Sequence, residues 1–192
     1  MKHFIFASLF LLSTPALAAP FTYAPESCEF QITFPEKPFI EKKCGSNVKD
    51  CAEIVSYTKT MGGNSSTNFR VTCTSLSLSD AKKYTPEIIE ETLKQLAKSN
   101  NLIPYDAQSF EKDGYRNSST ISLSERDGKP LIYNGQIWVG KTSMLTIEAE
   151  LLGEQNNVTE KTFADILRGA HPKDVKQRVA STPKAIPKAT KP

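Results

Sequence analysis

The sequence predicts an α+β domain: a mostly antiparallel sheet of about six to eight strands, one helix after the fourth strand, a short C-terminal helix, and disulfide staples. Three observations carry this reading. Runs such as 30–34 and 143–152 alternate apolar and polar residues, the mark of a half-buried strand. Residues 86–99 repeat their apolar side chains at helical spacing. All four cysteines fall between Cys28 and Cys73, within the predicted first four strands.

Residues 1–18 read as a secretory signal. Lys2 and His3 precede a short apolar run, Pro15 breaks it, and Ala16-Leu17-Ala18 supplies the small residues of a cleavage site. The run is shorter than the ~20 residues that span a bilayer. The expected location is therefore the periplasm, with residues 19–169 as one domain and residues 170–192 as a disordered basic tail. Six basic residues stand against Asp174 in that tail, and the whole chain is only +3, so the body is slightly acidic. An acidic body argues against nucleic-acid binding, which needs a basic face to neutralise phosphates.

Export implies disulfides, and four cysteines allow three pairings. Strand register ranks them. Cys28 shares a face with Phe30, Ile32 and Phe34, and Cys73 shares one with Phe69 and Val71. Both faces are apolar and point inward, which favours Cys28–Cys73. Cys44 and Cys51 flank a turn-rich hairpin tip that a second bridge can close.

In chain order, residues 28–34, 39–44, 51–60 and 67–78 read as the first four strands. Thr85 then caps a helix with Pro86 at its first position, and Ile89, Leu93 and Leu96 form the apolar stripe. Residues 103–111 read as either a strand or a loop. Residues 115–124 alternate around Ile121 and Leu123, and Arg126-Asp127-Gly128-Lys129-Pro130 turns the chain. Residues 131–139 are apolar on both alternations, as in a central strand covered on both faces. Residues 143–152 point Leu145, Ile147, Ala149 and Leu151 inward. The last helix starts at Thr159 as N-cap and stops at Gly169.

Few residues suggest chemistry. His171 is the one histidine after the signal, so a Ser–His–Asp or Cys–His set has no partner in the body. No HExxH, phosphate-loop or EF-hand pattern occurs, and no cofactor or metal is expected. Glu148 and Glu150 lie two apart on one strand face, roughly 6–7 Å along the backbone, a distance a two-carboxylate hydrolase can use. Trp138, with Ile132 and Tyr133 nearby, is the candidate lining of a small-ligand pocket between the sheet and the helix.

The run Cys28-Glu29-Phe30-Gln31-Ile32-Thr33-Phe34-Pro35-Glu36-Lys37-Pro38 leads into a meander, one amphipathic helix, long antiparallel strands and a short last helix. From Cys28 to Gly169 this arrangement resembles the PsbP-like domains, and small exported proteins of Gram-negative bacteria with the same layout. The resemblance implies an antiparallel sheet with helices on both faces, and an accessory or binding role without a shared catalytic set. The expected function is a non-enzymatic periplasmic binding protein with a protein or envelope partner. Its basic tail is suited to weak contact with anionic surfaces. The small-ligand carrier and the Glu148/Glu150 hydrolase are the alternatives. A thiol assay on unreduced, denatured protein is expected to find no free thiol; two or more per chain would overturn the paired-cysteine reading.

Overall fold

A computed structural model describes residues 19–44, 51–61, 64–154 and 156–174. The signal, the hairpin tip at 45–50 and tail residues 175–192 lie outside them. Among the described residues ten strands and three helices occur: β1 (Phe21–Tyr23), β2 (Phe30–Phe34), β3 (Phe39–Cys44), β4 (Cys51–Met61), β5 (Ser65–Ser75), α1 (Leu78–Ala81), α2 (Pro86–Ser99), β6 (Asp106–Lys112), β7 (Tyr115–Arg126), β8 (Lys129–Val139), β9 (Ser143–Leu152), α3 (Asn157–Arg168) and β10 (His171–Pro172). They form a seven-stranded sheet in the order β3-β4-β5-β9-β8-β7-β6 and a small sheet β1-β2-β10, with every pairing antiparallel.

The α+β class is present, and the large antiparallel sheet has seven strands, within the expected six to eight. The helix expected after the fourth strand follows β5, because one short strand precedes the first one read, and the four-residue helix α1 and two strands were not expected. Those strands are β1 and β10, three and two residues long, too short to show a period. β10 also moves the domain boundary. His171 and Pro172 pair with Gln31 and Phe30, and the Lys173 amide donates to Glu29 O at 2.9 Å. The fold thus continues five residues beyond Gly169.

The main core is built around β2. Phe30, Ile32 and Phe34 are at most 1% exposed. They insert between one face of the large sheet (Tyr57, Phe69, Val71, Leu145, Ile147, Leu151) and the stripe Phe163 and Ile166 of α3. Phe34 meets Tyr57 and Phe69 at ring-centroid distances of 5.4 and 6.4 Å, and Phe69 meets Phe163 at 5.4 Å. Each such side chain contributes roughly 1.5–3 kcal/mol by leaving water. Asn156, rather than Thr159, caps α3: its Oδ1 accepts from the amides of Val158 and Thr159. Thr159 is instead fully buried, its hydroxyl 3.3 Å from that of Ser65.

The opposite face of the large sheet carries α2. Thr85 caps it by accepting from the Ile88 amide, and Ile89, Leu93 and Ala97 are fully buried against Leu131, Tyr133, Ile137 and Val139. Here β7 departs from the sequence expectation. Its buried face is Ser118, Thr120 and Ser122, whereas Ile121 and Leu123 are 42% and 62% exposed. The helix lies close over β7, where small hydroxyl residues let the backbones approach. Gly135 serves the same approach: a Cβ there would sit 3.2 Å from a Leu93 methyl and from the Tyr133 hydroxyl.

Both disulfides are the ones that register ranks first, Cys28–Cys73 and Cys44–Cys51, with sequence separations of 45 and 7. On the chain-entropy model they constrain the unfolded state by about 4 and about 2 kcal/mol. Beside the first sits a clamp. The Glu29 carboxylate accepts from the amides of Thr142 and Ser143 at 2.7 and 3.0 Å and from the Ser143 hydroxyl. Partial burial opposes ionisation of Glu29, but the hydrogen bonds from the 141–143 turn outweigh it and hold its carboxyl below the usual range. A Cβ at Gly140 would fall 2.2 Å from a Glu29 carboxylate oxygen.

Gly140→Ala is therefore expected to expel the Glu29 carboxylate from the turn. We expect Gly140→Ala and Glu29→Gln each to cost about 1–3 kcal/mol in urea unfolding, and the double variant little more than the worse single. A lowered folded-state pKa stabilises above the unfolded carboxyl's pKa, and the effect is lost as pH falls through the folded one. The gap between wild type and Glu29→Gln should narrow toward acid; a constant gap, or additive costs, would dismiss the clamp.

Candidate functional site

Side chains on β8 alternate, and this separates the three residues proposed from sequence as one pocket. Tyr133 faces α2 and is 1% exposed. Ile132 and Trp138 face the other way, against the β2 core. Trp138 is half-buried between Phe30 and Phe110, at centroid distances of 6.0 and 5.9 Å, and its Nε1 donates to Gln136 Oε1 at 3.3 Å. The sheet itself stands between Trp138 and α2, so the three do not line one cavity beneath the helix.

Glu148 and Glu150 do lie together, on the α2 side of β9. Each is already engaged. Arg126 holds both oxygens of Glu150, at 2.7 and 2.8 Å. Glu148 accepts from Asn100 Nδ2 at 3.2 Å and lies 3.9 Å from an Arg70 guanidinium nitrogen. A bidentate arginine leaves a carboxylate poorly placed to exchange protons with a substrate. Between these carboxylates and α2 sits the Tyr133 hydroxyl, which lies by the Asn100 side chain but makes no well-formed hydrogen bond among the described residues. Burial, and then the charges of Glu148 and Glu150, push this hydroxyl far above its ordinary range. His171 is likewise occupied by fold contacts, 3.1 Å from Gln31 Nε2 and 2.8 Å from Pro172 O.

A larger concavity lies elsewhere, at the disulfide-bearing end. β1 and the loop 24–27 overhang the ends of β3, β4 and β5 and enclose an open groove of about 910 Å³. Its apolar wall comes from Phe21, Ile40 and the Cys73 side chain; its polar residues include Tyr23, Lys42 and Glu53. Lys42 and Glu53 are direct cross-strand neighbours on β3 and β4. The Tyr23 hydroxyl donates to Glu53 Oε2 at 3.1 Å. Burial first, then the Glu53 hydrogen bond and charge, push that hydroxyl far above its ordinary range, so it stays a proton donor. Glu53 is thus engaged from the β1 side, while Lys42 is exposed and makes no ion pair among the described residues.

Sequence reasoning missed this groove because β1 is too short to announce itself. Asp113-Gly114, with φ of 55° and 78°, closes a two-residue hairpin as Asp127-Gly128 does, and that dipeptide marks residues before it as the strand β6. Among the described residues no group of three or more His, Cys, Asp or Glu is placed to hold a metal ion.

No family model matches the chain. Over 164 aligned residues it is 23% identical to a UPF0182 protein of Corynebacterium glutamicum and 21% identical to one of Corynebacterium efficiens. These alignments cover 82% of this chain, which spans 16% of the length of those relatives. A crystal structure from Bacteroides thetaiotaomicron is similar with a TM-score of 0.38 at 12% identity, over 79% of this chain and 48% of that one. Likenesses of this size assign the chain to no family.

The Tyr133 geometry has a direct test. A buried hydroxyl without a well-formed hydrogen bond costs about 1–3 kcal/mol of desolvation, so Tyr133→Phe is expected to melt no lower than wild type. A clear drop in Tm would show that the hydroxyl is bonded and that the polar cluster under α2 is a working network.

Proposed function

We propose that this chain is an exported, non-enzymatic binding protein that holds an anionic amphiphile in the groove beside its two disulfides. The observation that carries the reading is the groove itself, an apolar wall with Lys42 at its rim, a cation that makes no ion pair among the described residues. Its volume falls in the range typical of small-molecule sites, about 300–1,000 Å³. An apolar ligand body would lie along Phe21 and Ile40, and its anionic head would reach Lys42. Glu53 also lines the groove, held by the Tyr23 hydroxyl, so the head would sit on the Lys42 side of it.

Other features agree with the compartment. Two disulfides fit an oxidising, non-cytoplasmic setting. Among the described residues no helix is long and apolar enough to cross a membrane. Release into the periplasm through the signal at residues 1–18 is part of the proposal, as are the PsbP-like kinship and a weak anionic surface contact made by the basic tail. The engagement of Glu148 and Glu150 by Arg70, Asn100 and Arg126 favours binding over the hydrolase alternative.

Anilinonaphthalene sulfonate, itself an anionic amphiphile, is a suitable probe. Wild-type protein is expected to bind it saturably near one site per chain. Lys42→Glu should weaken binding at least ~10-fold, the loss of roughly 1.4 kcal/mol, and Ile40→Asp should weaken it comparably. Lys42→Glu should not lower Tm substantially, because that side chain is exposed, and Ile40→Asp, at a position 37% exposed, should still melt cooperatively. Saturable binding that both variants retain, or no saturable binding by wild type, would sink the reading.

A further inference from the structure

The two disulfides differ in the properties that govern thiol exchange. Cys28 is 2% exposed and belongs to the main core. Its bridge ties the segment just before β2 to Cys73 on β5, which is half-buried, packs against that core and borders the groove. The buried Cys28 sulfur and the Glu29 clamp beside it restrict in-line attack on this bridge. Cys44 ends β3, a strand whose six residues are all exposed. β3 is the outermost strand of the seven-stranded sheet, so no further strand flanks it. Cys51 lies directly opposite Cys44 and is half-buried. The bridge between them spans a sequence separation of only 7. Lys42 and Lys43 immediately precede Cys44 and are exposed as well.

Exchange needs a thiolate to reach a disulfide sulfur, and its rate follows access and the stability of the thiolates on both sides. Exposed bridges are the exchangeable ones. Lys42, on the same face of β3 as Cys44, favours thiolate over thiol, while Lys43 is paired with Glu41. We propose that Cys44–Cys51 is a thiol-exchange site for an external dithiol, while Cys28–Cys73 is a permanent structural bond. One thiolate of the dithiol attacks Cys44 Sγ, forms a mixed disulfide and displaces Cys51 as a thiolate. The second thiol of the reagent, as its thiolate, then attacks its own sulfur in the mixed disulfide and releases Cys44 as a thiolate. Two electrons pass from the dithiol, which leaves as a cyclic disulfide. The two cysteines take up the two protons that the dithiol gave to water. The fold keeps its core through this cycle, because Cys44 and Cys51 lie outside every buried cluster. The site does not depend on what occupies the groove, although Cys51 borders it.

The test uses dithiothreitol as the dithiol on the folded protein, with iodoacetamide trapping and peptide mass analysis. Cys44 and Cys51 are expected to label at a dithiothreitol concentration at least ~10-fold below that needed for Cys28 and Cys73. Their labelling rate should not change with urea below the unfolding transition, since access through the native state needs no opening. The Cys44→Ser/Cys51→Ser double variant should melt cooperatively and show no thiol labelling at the lower concentration. Simultaneous labelling of all four cysteines, earlier labelling of Cys28 and Cys73, or a Cys44 rate that climbs with urea in step with unfolding would overturn the proposal.

Discussion

Three consecutive residues, Cys28, Glu29 and Phe30, hold the two sheets together, and most of the molecule depends on that joint. Cys28 is covalently tied to β5. The Glu29 amide donates to the Ser143 hydroxyl, its carboxylate receives the amides of the β8–β9 turn, and its carbonyl receives the Lys173 amide. Phe30 fills the core between Tyr115 and Trp138. Covalent, charge-assisted and hydrophobic contacts therefore meet within one short segment, and each reaches a different part of the chain. β2 is only five residues long and pairs with strands of three and two residues. Strand pairing on that scale is marginal by itself. Burial of Phe30, Ile32 and Phe34, with the tie at Cys28, is what keeps the small sheet in place.

The two faces of the large sheet solve different packing problems. On the β2 side, large aromatic residues interlock with α3 across a distance set by their own bulk. On the α2 side the helix comes close to β7 and β8, and the sequence supplies Ser118, Thr120, Ser122 and Gly135 where it does so. The cost is polar: Ser122 Oγ and the Tyr133 hydroxyl are buried there with no well-formed hydrogen bond among the described residues. The gain is space for Ile89, Leu93 and Ala97 to be fully buried. Glu150, held by both terminal nitrogens of Arg126, and Glu148, bonded to Asn100, close this layer on the β9 flank.

The disulfide-bearing end combines inward and outward parts. Tyr23 and Cys28 belong to the main core, and Phe21 and Cys73 pack against it, whereas Lys42 and Cys44 on the outermost strand β3 are exposed. Substitutions at the exposed β3 positions therefore disturb the interior less than substitutions at Phe21, Tyr23 or the Cys28–Cys73 bridge.

The sequence by itself determined the period-two strands and the capped, amphipathic α2, and it ranked first the pairing Cys28–Cys73 with Cys44–Cys51. All three follow from local spacing and chemistry: alternation names the face of a strand, Thr85-Pro86 starts a helix, and two inward cysteines on apolar faces can meet. Asp113-Gly114 belonged to the same legible class, although it was read only in its counterpart Asp127-Gly128. Tertiary structure decided the rest. Alternation divides Trp138 from Tyr133 and Ile121 from Thr120, but it does not say which side a helix will cover, and close helix approach selected the small residues over the apolar ones on β7. It also decided β1, β10 and the groove. Such short strands carry no period of their own and exist because the buried β2 offers them an edge.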